Sequence, residues 1–231
     1  MPVGRTHVGQ LQWDVGEEQF GRWDPLRPED AVCEFATWTA PWWLAGGWAV
    51  DVLLGRQTRE HGDLDLVVLR RDQVSVRQEL RGWDVQRAGP PGVLRPWPIG
   101  ETLPLDVHDV WCRRTPRSPW SFQLMIDDTE GDDWLYRRDH SIRRPVQSLA
   151  GRASSASLLV LAPDIQLLYK SKGLRDKDVA DFQAVRPYLS AEERNWLRTA
   201  LDIVAPGHPW TWSLNRDRNA RHDPRTALAC G

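Results

Sequence analysis

The apolar positions along the chain fall into a run of short elements followed by a change of rhythm. Arg27-Pro28-Glu29-Asp30 reads as a helix start, after which Ala31, Val32, Phe35 and Ala36 share one face over residues 30–39. Pro41 ends that helix. A short apolar run at residues 42–45 reads as a buried strand and delivers the chain to Gly46-Gly47, and residues 48–54 form a short helix stopped by Gly55. Residues 63–69 (DLDLVVL) give the clearest strand, with Leu64, Leu66 and Val68 on one face and Asp63, Asp65 and Val67 on the other.

Residues 74–80 suit a helix, and the Gly- and Pro-rich stretch 87–101 reads as a loop. Residues 103–110 return as an expected strand, Leu105 and Val107 on one side and Asp106 and His108 on the other. Residues 122–126 and 134–138 flank the acidic run 127–133, which predicts a hairpin with an acidic turn. After a linker at 143–157 the pattern becomes helical. Pro163-Asp164 opens a helix to about Lys172, closed by Gly173. Asp176 caps a second that turns Val179, Phe182 and Val185 inward. Ser190 with Glu193 makes a capping box for a third, running to about Ala205. The tail from Gly207 has no periodicity. The expected fold class is α/β (α+β): a mixed-sheet domain at 30–145, a small helical domain at 158–205, and poorly defined termini at 1–29 and 206–231.

The chemistry concentrates between residues 44 and 69. Gly46-Gly47 lies between a strand and a helix, where backbone N–H groups and the helix dipole favour an anion such as a triphosphate; a simple turn is the plainer alternative. Asp63 and Asp65, two apart on one strand face, can converge on a hard divalent cation, most naturally Mg2+, or can simply be solvated. Asp106 on a later strand, with its own carboxylate-bearing face, can complete a three-carboxylate cluster. Arg59 pairs with phosphate or buttresses Asp51, and His61 reads as a residue that orients its loop.

These residues carry a resemblance. The run GGWAVD at 46–51, with Gly55, Arg59, His61 and Asp63-Leu64-Asp65, resembles the aminoglycoside and lincosamide nucleotidyltransferases of the DNA-polymerase-beta-like superfamily. The segment 161–182 (LAPDIQLLYKSKGLRDKDVADF) resembles the helical region of the same group. The resemblance implies a nucleotidyltransferase domain followed by a helical domain. It implies Asp63, Asp65 and Asp106 as catalytic and metal-binding residues, with Gly46, Gly47, Arg59, Lys170 and Lys177 at the nucleotide. It further implies Mg2+ as cofactor and a nucleoside triphosphate, ATP, as co-substrate. The acceptor would be a hydroxyl of a small molecule such as an aminoglycoside or lincosamide, with a protein or tRNA, or a non-catalytic nucleotide-binding role, as alternatives.

Lys170, Lys172 and Lys177 are the only lysines among 30 basic residues, so their clustering is informative; the other reading pairs Lys177 with Asp181. Against 32 acidic residues the net charge is -2, which argues against a nucleic-acid partner or a membrane-surface helix. No apolar run reaches the length of a membrane span, and the first residues do not read as a signal peptide. Cys33, Cys112 and Cys230 lack metal-ligand spacing, so a reduced, cytoplasmic protein is expected. The acidic run 127–133 offers a surface for a cationic acceptor or a solvated hairpin tip. Some of the 14 tryptophans could wall a ligand, although burial is their commoner use.

Overall fold

The computed structural model describes residues 20–89 and 92–220; the readings for the first 19 residues, Cys230 and the last eleven residues lie outside that range. Two compact units divide at Leu161 and Ala162.

In the first unit, helix α1 (Pro28–Glu34) precedes strand β1 (Trp42–Leu44), helix α2 (Gly46–Leu54), strand β2 (Asp65–Leu69) and helix α3 (Gln73–Glu79). Strands β3 (Asp84–Ala88), β4 (Leu94–Pro96), β5 (Asp109–Arg113), β6 (Phe122–Glu130), β7 (Asp133–Leu135) and β8 (Arg143–Pro145) follow. The sheet runs β1-β2-β6-β5-β3-β4, with β7 on β6 and β8 on β7. Among the strands of the described residues, β2 and β6 are the one pair in parallel, Asp65 opposite Gln123 and Val67 opposite Met125. This is the mixed sheet with helices that the pattern predicts.

Alternation decides which face is the core. Leu64, Leu66 and Val68, with Val110, Cys112, Phe122, Leu124 and Ile126, enter one cluster together with Ala31 and Phe35, Ala49, and Val76 and Leu80 from around the three helices. The in-between residues Asp65, Gln123, Trp111 and Asp109 therefore share the opposite face.

Besides β8, which lies inside the stretch 143–157 expected as a linker, three elements of the first unit differ from expectation. Residues 87–101 hold the end of β3 and all of β4, which pair antiparallel with Arg87 opposite Arg95 and Ala88 opposite Leu94. The acidic run belongs largely to β6, which extends to Glu130. Asp127 is fully buried and accepts from Trp134 Nε1 at 2.6 Å, so the turn is confined to residues around Gly131, whose φ is +59°. The third concerns Asp106. The strand begins at Asp109, not at 103, because the carbonyls of residues 104, 105 and 107 go elsewhere. Buried Arg70 donates to Pro104 O (3.1 Å), Leu105 O (3.4 Å) and Val107 O (2.9 Å), and Val107 N–H donates to Pro104 O (3.0 Å), which closes a turn. Asp106 sits in that turn, exposed.

The second unit contains α4 (Pro163–Lys170), α5 (Asp176–Val185), α6 (Ala191–Val204) and α7 (Pro209–Ala220). Ser190 Oγ accepts from Glu193 N–H at 3.1 Å while Glu193 accepts from Ser190 N–H at 2.7 Å, the capping box read from the sequence. Helix α7 lies in the tail that shows no periodicity; Phe182 stacks on its Trp210 at 4.2 Å. Among the described residues no helix is long and apolar enough to cross a membrane.

Candidate active site

The site is built where β1 turns into α2 against the start of β2. Gly46 has φ +67°, and a Cβ there would lie 2.2 Å from Asp65 Oδ2. A Cβ on Gly47 would lie 2.2 Å from His61 Nδ1 and 2.5 Å from an Arg59 terminal nitrogen. The two glycines therefore make room for side chains of this chain, Asp65 at one and His61 with Arg59 at the other, a use beyond the anion site or plain turn that the sequence suggests. Ala45 at the N-cap of α2 has no side-chain acceptor to offer, so the helix start is not capped by a side chain.

Asp51, buried on α2, organises the loop that carries Arg59 and His61. Its Oδ1 accepts from Thr58 N–H (3.0 Å) and Thr58 Oγ1, and its Oδ2 pairs with His61 Nε2. The His61 ring lies 4.6 Å from that of Trp48, and its Nδ1, buried, has no protein hydrogen-bond partner among the described residues. Arg59 donates to Glu60 O at 3.1 Å, and it is His61 that engages Asp51.

Asp65 opens β2 and Asp63 precedes it by two residues, both half-buried, and continued alternation turns them away from the core-facing Leu64. The structure does not bring Asp106 to them as a third carboxylate: among the described residues no group of three His, Cys, Asp or Glu side chains could hold a metal ion. Two neighbours were missed by the sequence reading. Gln123, paired with Asp65 across the sheet, donates through Nε2 to Asp109 Oδ1 at 3.0 Å, and Arg137 lies 3.4 Å from the same oxygen. The one signal for Gln123 was a polar residue inside the apolar run FQLMI. In the other unit Lys170 is buried, 2.8 Å from Asp181 and 3.8 Å from Asp178, so Lys170 and not Lys177 meets Asp181; Lys177 is exposed near the start of α5.

The residues present fit a hard divalent cation. Asp63 and Asp65 are oxygen donors, Mg2+ typically takes one or two carboxylates with substrate phosphates, and the missing Cβ of Gly46 leaves the space that Asp65 Oδ2 fills.

The sequence model of the aminoglycoside-2''-adenylyltransferase family matches residues 31–87. The segment resembles that family. It holds Gly46, Gly47, Arg59, His61, Asp63 and Asp65, the residues that carried the resemblance in the sequence. A 2''-aminoglycoside nucleotidyltransferase of Klebsiella pneumoniae is 40% identical over 73 residues, 31% of this chain and 40% of the relative. The match thus spans about two fifths of that relative's length. A lincosamide resistance protein of Staphylococcus haemolyticus is 64% identical over 25 residues, 11% of this chain and 16% of that one. Among solved structures, the lincomycin-bound lincosamide antibiotic adenylyltransferase LnuA aligns with TM-score 0.49 and 16% identity, covering 72% of this chain and 100% of that one. ANT(2'')-Ia with adenylyl-2''-tobramycin aligns with TM-score 0.47 and 15% identity, covering 77% and 96%.

Proposed function

We propose that the protein is an Mg2+-dependent nucleotidyltransferase that moves AMP from ATP to a hydroxyl of a small molecule of the aminoglycoside or lincosamide kind. The observation that carries the reading is the contact of Gly46 with Asp65: a left-handed glycine at a helix start, its bare face against a carboxylate two residues beyond another. The family match over residues 31–87 supports the reaction class, and the names of the aminoglycoside and lincosamide relatives support the acceptor class.

In this reading Asp63 and Asp65 hold the cation and fix its place relative to the start of α2. The backbone N–H groups there, favoured by the helix dipole, receive the triphosphate. Arg59, which reaches the flank of Gly47, adds a cationic contact to the same phosphates. Asp51 keeps the loop in register through Thr58 and His61. When bound, Mg2+ supplies charge neutralisation at the phosphates. The test is pyrophosphate release from each nucleoside triphosphate with Mg2+ over a panel of aminoglycosides and lincosamides. Release that requires ATP and one drug class, and is lost in Asp63→Ala with an unchanged melting temperature, is the expected result. Drug-dependent release retained by Asp63→Ala would refute the site.

A further inference from the structure

We infer that Gln123 Oε1 is an oxygen ligand of the cation held by Asp63 and Asp65, and that Asp109 is the positioning residue that turns it there; the inference rests on the nucleotidyltransferase reading. Gln123 is 8% exposed and sits on the sheet face of Asp65, directly paired with it. Its own N–H donates to Leu64 O at 2.8 Å, which ties β6 to the backbone between the two aspartates. Neighbouring strands lie about 5 Å apart, which brings side chains at paired positions on one face within reach of each other.

The direction of the carboxamide is set by chemistry. An ionised carboxylate only accepts, so the Gln123 nitrogen must be the end that meets Asp109, at 3.0 Å. Strand β6 lies between β5, which carries Asp109, and β2, which carries Asp65. Asp109 is opposite Met125, two pairs further along, so the nitrogen leans toward β5 and away from the Asp63 end. With the nitrogen committed to Asp109, the oxygen is the amide atom available to the β2 side, where Asp65 is the paired residue. Arg137, 3.4 Å from the same Asp109 Oδ1, helps to hold the anchor. Amide oxygens are ordinary ligands for hard cations, and partners that orient a ligand typically matter 10–100-fold for affinity. A third oxygen donor thus comes from a neutral residue, where the sequence reading sought a carboxylate at Asp106.

Mn2+, a spectroscopic stand-in for Mg2+, is titrated into the full chain with a non-hydrolysable ATP analogue, and the unbound ion is read by electron paramagnetic resonance. Gln123→Ala should weaken Mn2+ binding about tenfold or more. Asp109→Asn, which can turn the carboxamide round, should weaken it in the same direction. In the double variant Gln123→Glu/Asp109→Asn a carboxylate faces the cation and an amide at 109 donates to it, so binding should return to the wild-type level or tighter. Wild-type affinity in Gln123→Ala overturns the inference, and so does a double variant that folds yet binds no better than Asp109→Asn. If Gln123→Ala does not fold, the double variant alone decides. Asp63→Ala separates the two readings. If it loses Mn2+ while Gln123→Ala does not, the inference alone fails. If the wild-type chain holds no Mn2+ with nucleotide, the nucleotidyltransferase reading and the inference fail together.

Discussion

Gly46→Ala perturbs the contact on which the account turns, and its two costs can be separated. The first is conformational: with φ at +67°, an alanine enters the left-handed region at a cost of about 1–2 kcal/mol. For a chain of this size that lowers Tm by about 2–8 °C. The second is steric. A Cβ 2.2 Å from Asp65 Oδ2 cannot be accommodated without moving the carboxylate by roughly 1 Å, and a displacement of that size can cost about 100-fold in rate. Gly55→Ala provides the control, because Gly55 has nearly the same φ, +66°, with nothing within 4 Å of its would-be Cβ. It should show the stability cost alone. Melting curves, Mn2+ affinity and pyrophosphate release on the two variants side by side measure both terms. Equal activity losses in the two variants, or wild-type turnover and Mn2+ affinity in Gly46→Ala, would refute the steric argument.

Other predictions follow from the second unit. Lys170→Met removes the ammonium 2.8 Å from buried Asp181, while Asp178 keeps Arg175 at 2.7 Å; unfolding in urea should show a loss of about 3 kcal/mol, whereas exposed Lys177→Met should stay within about 0.5 kcal/mol. Burial lowers the pKa of His208 below its ordinary 6.5, partly offset by its bond to Ser171 O. Its Nε2 meets Ser171 O at 3.1 Å while Nδ1 accepts from Trp210 N–H, so a second ring proton displaces that bond. The neutral form favours the fold, so this contribution is full above about pH 6.5 and is lost as pH falls below that value toward the depressed pKa. Urea midpoints at pH 7.5 and 5.5 should differ less in His208→Gln than in the wild type; an unchanged difference contradicts the assignment.

What could be read from the sequence was set locally. The alternation of Leu64, Leu66 and Val68 fixes which way Asp63 and Asp65 face, and Ser190 with Glu193 fixes the start of α6, because each depends on residues a few positions apart. Asp106 was misplaced because a buried arginine 36 residues earlier takes the carbonyls around it, a tertiary competition with no local trace beyond Pro104. Gln123 was passed over because its importance comes from the parallel register of β6 on β2 and from Asp109 on a third strand. The glycines were read as a cradle for phosphate, but what presses on them is visible only when Asp65, Arg59 and His61 return to meet them.

The most direct test of the central claim is the mass of the product. The wild-type chain with ATP, Mg2+ and the drug that elicits pyrophosphate release should yield drug heavier by one adenylyl group. Asp65→Asn, folded to the same melting temperature, should yield none. An unmodified drug from the wild type, or an adenylylated drug from Asp65→Asn at the wild-type rate, would contradict the account.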